Sequence, residues 1–130
     1  MIGIDANILI RYFTQDDPVQ SAAANRLLDK RISTDNPAFV STIALSELVW
    51  TLRRSYKLPA AEIVRVLRIL LGSSKFVIES AREVALATVA LEEGFGFSDA
   101  LIVELGNSAG CQATLTFDRK AAELPGAELL

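Results

Sequence analysis

Short apolar runs, "MIGID", "AFVS", "KFVIE" and "QATLTF", recur along this 130-residue chain, and between them lie longer stretches whose apolar residues return at helical spacing. Short apolar strands separated by helices pack as a parallel sheet with helices on both faces, so the expected class is α/β, three-layered, in one domain over residues 1–130. The punctuation agrees with the periodicity. "ANILIRYF" reads as a helix, and "DDPVQSAAANRLLDKR" starts another with Asp17 as N-cap and Pro18 at its first position. After the turn signal "TDNP" come the strand "AFVS" and the amphipathic "TIALSELVWTLRRSY"; "LPAAEIVRVLRILLG" opens on Pro59 and closes on Gly72. Helices over "AREVALATVALEEG" and "SDALIVELGNSAG", the strand "QATLTF", a helical turn near "RKAAEL" and an edge strand at "AELL" complete the reading.

Composition narrows the function. Hydrophobic residues make up 51% and charged residues 22%, which excludes disorder, and a chain of this size buries roughly two-thirds of its unfolded surface. The longest apolar runs, such as "VALATVALEEG" and "RVLRILLG", meet Glu or Arg well before the ~20 residues a bilayer requires. Asp5 stands where a signal peptide would carry basic residues, so the expected location is cytoplasmic, and the single Cys111 suits a reducing compartment. With no histidine, the chain cannot build a Ser-His-Asp or Cys-His pair or a His-ligated zinc site. No Walker-type loop is present, and "EGFGFS" supplies only two of the dinucleotide-fold glycines, after a helix instead of a strand. A net charge of −3 argues against gripping nucleic acid by bulk electrostatics, so a phosphate-bearing partner must be held locally or through a metal.

The positions of four acids are more informative. In a parallel sheet, ligands bind at the C-terminal ends of the strands. Asp5 ends the first strand; Glu47 lies about one turn into the helix after "AFVS"; Asp99 opens a helix that starts at the same edge; "QATLTF" climbs back to deliver Asp118. Thr116 shares a sheet face with Asp118, and Asn7 follows Asp5 by two residues. Each acid also has a bland reading. Asp5 and Asp118 are candidate N-caps, Asp99 a first-turn residue behind a Ser98 cap, Glu47 part of a solvated stripe with Thr51 and Arg54. Asp16, Asp17 and Asp35 belong to ordinary turn or cap signals. Convergence is what capping would not require. Gathered carboxylates repel unless a cation neutralises them, and oxygen-only ligation selects Mg²⁺ or Mn²⁺. Such a site suits phosphodiester hydrolysis.

The segments "IDANILIRYF", "STIALSELVWTL", "FSDALIVELG" and "TLTFDRKAAE", in this order across nearly the whole chain, resemble a PIN domain, in particular the VapC-type toxin ribonucleases of prokaryotic toxin–antitoxin pairs. The resemblance implies a PIN-like fold with a central parallel sheet of about five strands, and it makes Asp5, Glu47, Asp99 and Asp118 the acidic metal-site residues with Asn7 and Thr116 as polar support. Of these, Asp5, Asp99 and Asp118 would anchor the cation, while Glu47 completes the site or orients the attacking water. It further implies Mg²⁺ or Mn²⁺ dependence, endonucleolytic cleavage of RNA, homodimerisation and inhibition by a small antitoxin laid over the groove. Arg11, Arg53, Arg119 and Lys120 are candidate contacts to flanking phosphates. Ala6 departs from the family, which often has Thr or Ser there.

Three rivals remain. A Mg²⁺-dependent aspartyl phosphatase usually wants a second acid two residues after the first, where this chain has Asn7. A receiver-type signalling domain needs a paired acid and a placed lysine, and "KFVIE" ends in Glu79 without them. A catalytically silent PIN-like binding module would not need all four acids.

Overall fold

Pro18 locks the backbone just where Asp17 can cap it, and a helix begins there: the Asp17 carboxylate accepts the Val19 and Gln20 N–H groups, and Pro18 has no N–H to leave unpaired. The computed structural model describes residues 1–130. They divide into two compact units, Met1–Glu79 and Ser80–Leu130.

In the first unit, strand β1 (Ile2–Gly3) leads into helix α1 (Ala6–Thr14), which Gln15 ends in a left-handed conformation, φ 55°. Helix α2 (Pro18–Arg26) continues into a π-helical turn, Leu27–Arg31. Strand β2 (Ala38–Val40), helices α3 (Thr42–Arg54) and α4 (Ala60–Gly72) and strand β3 (Phe76–Ile78) follow. The strands form one parallel sheet in the order β1-β2-β3, with Ile2 opposite Ala38 and Ala38 opposite Phe76. Ala38 is buried with Leu28 and Ile32, and Ile2, Ile4, Tyr12, Leu27 and Phe76 pack on them. Helix α3 buries Leu45, Leu48 and Leu52, and α4, which packs on it, buries Ile63, Leu67 and Leu70. Those spacings put one apolar stripe on each helix, and each fully buried side chain of this size contributes about 1.5–3 kcal/mol.

In the second unit, helices α5 (Ala81–Glu92) and α6 (Phe97–Ser108) pack along each other; α5 buries Val84, Ala87 and Leu91, and α6 buries Phe97, Ala100 and Leu101. Strand β4 (Thr114–Thr116), a 3₁₀ turn (Ala121–Glu123) and strand β5 (Ala127–Leu129) follow. β5 pairs parallel with β4, Thr114 opposite Ala127. Gly126 precedes β5 at φ 96°, and a Cβ there would run into the Asn107 amide, whose Nδ2 donates to the Pro125 carbonyl at 3.1 Å. Only glycine meets both demands.

The α/β class, the six helices and the parallel pairing agree with the sequence reading. One expectation is corrected: the five strands are not one sheet but a three-stranded and a two-stranded sheet. β1 is too short to carry a second ladder. Ile2 and Ile4 both donate toward the β2 side, to Pro37 at 2.9 Å and Phe39 at 3.1 Å, which leaves Gly3 as the strand's one residue with its N–H turned away. No helix is long and apolar enough to cross a membrane.

Candidate functional site

Asp5 leaves β1 in an extended conformation, φ −92°, and caps α1 by accepting the Ile8 N–H at 3.2 Å on Oδ1. The capping reading is therefore correct, and it occupies only one carboxylate oxygen. Ser41 starts α3 directly after β2 and accepts the Ala44 N–H at 3.1 Å, which turns the next residues of the helix over the ends of the strands. Glu47 emerges there exposed, and its carboxylate accepts no hydrogen bond from the protein. Asp5 and Glu47 line one open cavity of ≈ 470 Å³ with Gly3, Ile4, Phe39 and Ser41, at the C-terminal ends of β1 and β2. The first unit thus brings two of the four predicted acids to one opening.

In the second unit, Thr116 Oγ1 accepts the Asp118 N–H at 3.0 Å, and Asp118 Oδ1 accepts the Ala121 N–H at 2.9 Å. Thr116 therefore supports Asp118 through its backbone. Helix α6 starts one residue before Ser98: its N-cap is Gly96 and no side chain caps it. The Ser98 cap is corrected because Phe97 is already helical, its side chain buried, which leaves Ser98 and Asp99 exposed in the first turn. The Asp99 carboxylate folds back over Gly96, where a Cβ would stand 3.0 Å from Oδ2. It accepts no hydrogen bond, so it favours the α6 N-terminus only through the dipole. Gly106, near the far end of α6, lies against Thr114 at the start of β4. From there α6 rises about 10 Å back to Asp99 and the β4 chain about 13 Å forward to Asp118. Each acid therefore stands away from that contact along its own stretch of chain.

All four acids keep at least one carboxylate oxygen unbonded, and all are exposed. No group of three acidic side chains is drawn closely enough together to enclose a metal ion by itself. Mg²⁺ keeps several waters and is usually held by one or two carboxylates plus substrate phosphates, and Asp5 and Glu47 at one opening are donors of that kind. The oxygen-only donor set fits such a hard cation.

The basic candidates separate. Arg53 and Arg119 are exposed and unpaired. Lys120 lies over the Phe95 ring at 4.5 Å and beside Glu123 at 3.8 Å. Arg11 is engaged through two of its three nitrogens: Nε donates to Gln20 Oε1 at 2.7 Å, and Nη1 donates to Asp16 Oδ1 at 3.1 Å and the Tyr56 hydroxyl at 3.0 Å. Asn7 is exposed without a hydrogen-bond partner and lines a second cavity, of ≈ 430 Å³, with Asp5, Arg11 and Gln20.

Three positioning residues escaped the sequence reading. Tyr56 donates to Asp16 Oδ2, tying the turn after α1 to the turn after α3. That bond, with those from Thr14 and Arg11, holds the Asp16 carboxyl below the usual range, and the Tyr56 hydroxyl with Asp16 raises the Arg11 guanidinium. Asp16 is thus more than a turn residue. Glu79, at the end of β3, accepts the Thr42 N–H at 2.8 Å and the Thr42 hydroxyl at 2.9 Å, so it fastens the start of the helix that carries Glu47. Those two bonds hold its carboxyl low. Glu79 was findable, because strands leaving one edge of a parallel sheet place their next residues side by side.

A family model described as PIN domain matches residues 2–127, spanning both units and all four acids. No curated protein matches the sequence.

Proposed function

We propose that this chain, which belongs to the PIN-domain family, is a Mg²⁺- or Mn²⁺-dependent endoribonuclease and the toxin of a VapC-type toxin–antitoxin pair. PIN domains are typically nucleases and generally use divalent metal ions, usually Mg²⁺. The observation that carries the reading is the meeting of Asp5 and Glu47 on one open cavity at the C-terminal ends of β1 and β2.

In this reading Asp5, Asp99 and Asp118 hold the cation directly or through water. When bound, the ion supplies charge neutralisation at the scissile phosphate. Asp5 and Asp118 are held in place by their caps, so the oxygen each presents is fixed without further ordering. Glu47, free of protein hydrogen bonds, orients the attacking water and takes its proton as the water oxygen bonds to phosphorus and the ribose oxygen leaves. Arg53 and Arg119 are the unpaired cations available to flanking phosphates, whereas Arg11 is committed to Asp16 and Tyr56. RNA as substrate, the antitoxin and the homodimer follow from the resemblance, and a cytoplasmic setting from Asp5 near the N-terminus and the single Cys111. Ile43, 72% exposed beside Glu47, and Trp50, 59% exposed one stretch further along α3, supply apolar surface that supports a protein partner over the opening.

The test is cleavage of a mixed RNA pool by the wild-type chain and Asp99→Asn, each with Mg²⁺, Mn²⁺ or EDTA. The expected result is metal-dependent cleavage that EDTA abolishes and that falls more than about 100-fold in the variant at unchanged thermal stability. An Asp99→Asn protein that cleaves normally but melts lower would make Asp99 a structural residue of α6.

A further inference from the structure

The cavity of ≈ 430 Å³ between α1 and α2 shares Asp5 with the opening that holds Glu47, yet its other walls are of a different character. Its apolar lining is Ile8, Ala23 and the buried Ala24, and its polar groups are Asp5, the Asn7 and Gln20 amides and Arg11. Arg11 is a poor phosphate anchor here, because Asp16 offsets its charge and its Nε and Nη1 are bonded to Gln20, Asp16 and Tyr56. Gln20 sits at the third position of α2, where a glutamine usually turns back to the N-cap N–H. Here its Oε1 is taken by Arg11 Nε at 2.7 Å. Arginine can only donate, so this bond fixes which way the amide faces and leaves the Gln20 NH₂ without a protein partner. Asn7, on the opposite wall, has neither amide atom bonded.

Beside the Asp5 carboxylate and the paired Arg11, two amides next to small apolar side chains match a flat heterocycle with hydrogen-bonding edges. Single-stranded RNA is read in this way, by splayed bases bonded along their edges. We propose that the α1–α2 cavity binds the base of the nucleotide next to the scissile phosphate, and that Gln20 with Asn7 sets a base preference at that one position. The inference rests on the ribonuclease reading. Gln20 presents a donor, so the favoured base offers a ring nitrogen or carbonyl acceptor to it.

The test uses randomised single-stranded RNA with Mg²⁺, sequencing the cut ends from the wild type, Gln20→Ala and Ala23→Leu, with Asp35→Asn as an unrelated surface variant. Ala23→Leu fills part of the cavity while keeping both amide side chains in the chain, and it decides the matter where Gln20→Ala disturbs α2, as circular dichroism would report. The expected result is a base preference at one position beside the cut, reduced about tenfold in Ala23→Leu and in folded Gln20→Ala, with preferences elsewhere and Asp35→Asn unchanged. A wild type with no preference, or one that Ala23→Leu leaves intact, overturns the inference and leaves the nuclease reading standing. So does an equal loss across all sequences. A wild type that cuts no RNA overturns both.

Discussion

Asp5 Oδ1 receives the Ile8 N–H and Asp118 Oδ1 that of Ala121, which leaves Oδ2 of both carboxylates for other work. A cap and a metal ligand are thus compatible in one residue, and substitution can separate them. Asparagine caps about as well as aspartate, whereas alanine at an N-cap costs about 1 kcal/mol. Asp5→Asn is accordingly expected to lose cleavage while melting like the wild type, and Asp5→Ala to lose cleavage and melt several degrees lower, both read by RNA cleavage and thermal denaturation. At this scale the sequence was legible wherever the partner is local: Asp17, Asp5 and Asp118 all bond within three residues. It was illegible for Tyr56, whose partners Arg11 and Asp16 lie 45 and 40 residues away. Nothing in the periodicity of either segment announces a bond between two turns.

Helix α3 is secured twice at its start, by Ser41 from its own chain and by Glu79 from the end of β3. The second tie couples the position of Glu47 to the sheet. Because the Glu79 carboxyl is held low by Thr42, the native state favours its ionised form and the unfolded state binds the proton more readily. Its contribution is complete above the ordinary carboxylate range and is lost as pH falls through the lowered folded value. Asp16 and Glu83, held low by Tyr56 and Ser108 respectively, act in the same direction. Melting temperature is therefore expected to fall between about pH 5 and about pH 3. Glu79→Gln should lower it at neutral pH and flatten that part of the dependence, and an unchanged acid slope would remove Glu79 from the account. Elements were the most legible level, since Pro18, Pro59 and the apolar spacing of α3 and α4 state their own boundaries. The start of α6 was misplaced because Phe97 carries no cap signal and enters the helix through burial.

Parallel pairing was readable across the molecule from the alternation of strands and helices, but the division into two sheets was not. Strands of two or three residues carry too few side chains to specify a neighbour, and β1 has one outward N–H. The site divides in the same way. Asp5 and Glu47 meet within the first unit, and chain direction in the second leads to Asp99 and Asp118, while a cation shared by Asp5, Asp99 and Asp118 is the claim we propose from the family resemblance. That claim is tested most directly by titrating Mn²⁺ into the wild type, Asp5→Asn and Asp118→Asn and following bound ion by its paramagnetic signal. The account predicts that each substitution, one in either unit, weakens the same binding event by more than about tenfold. Mn²⁺ affinity left unchanged by one of them would contradict the proposed sharing of one cation.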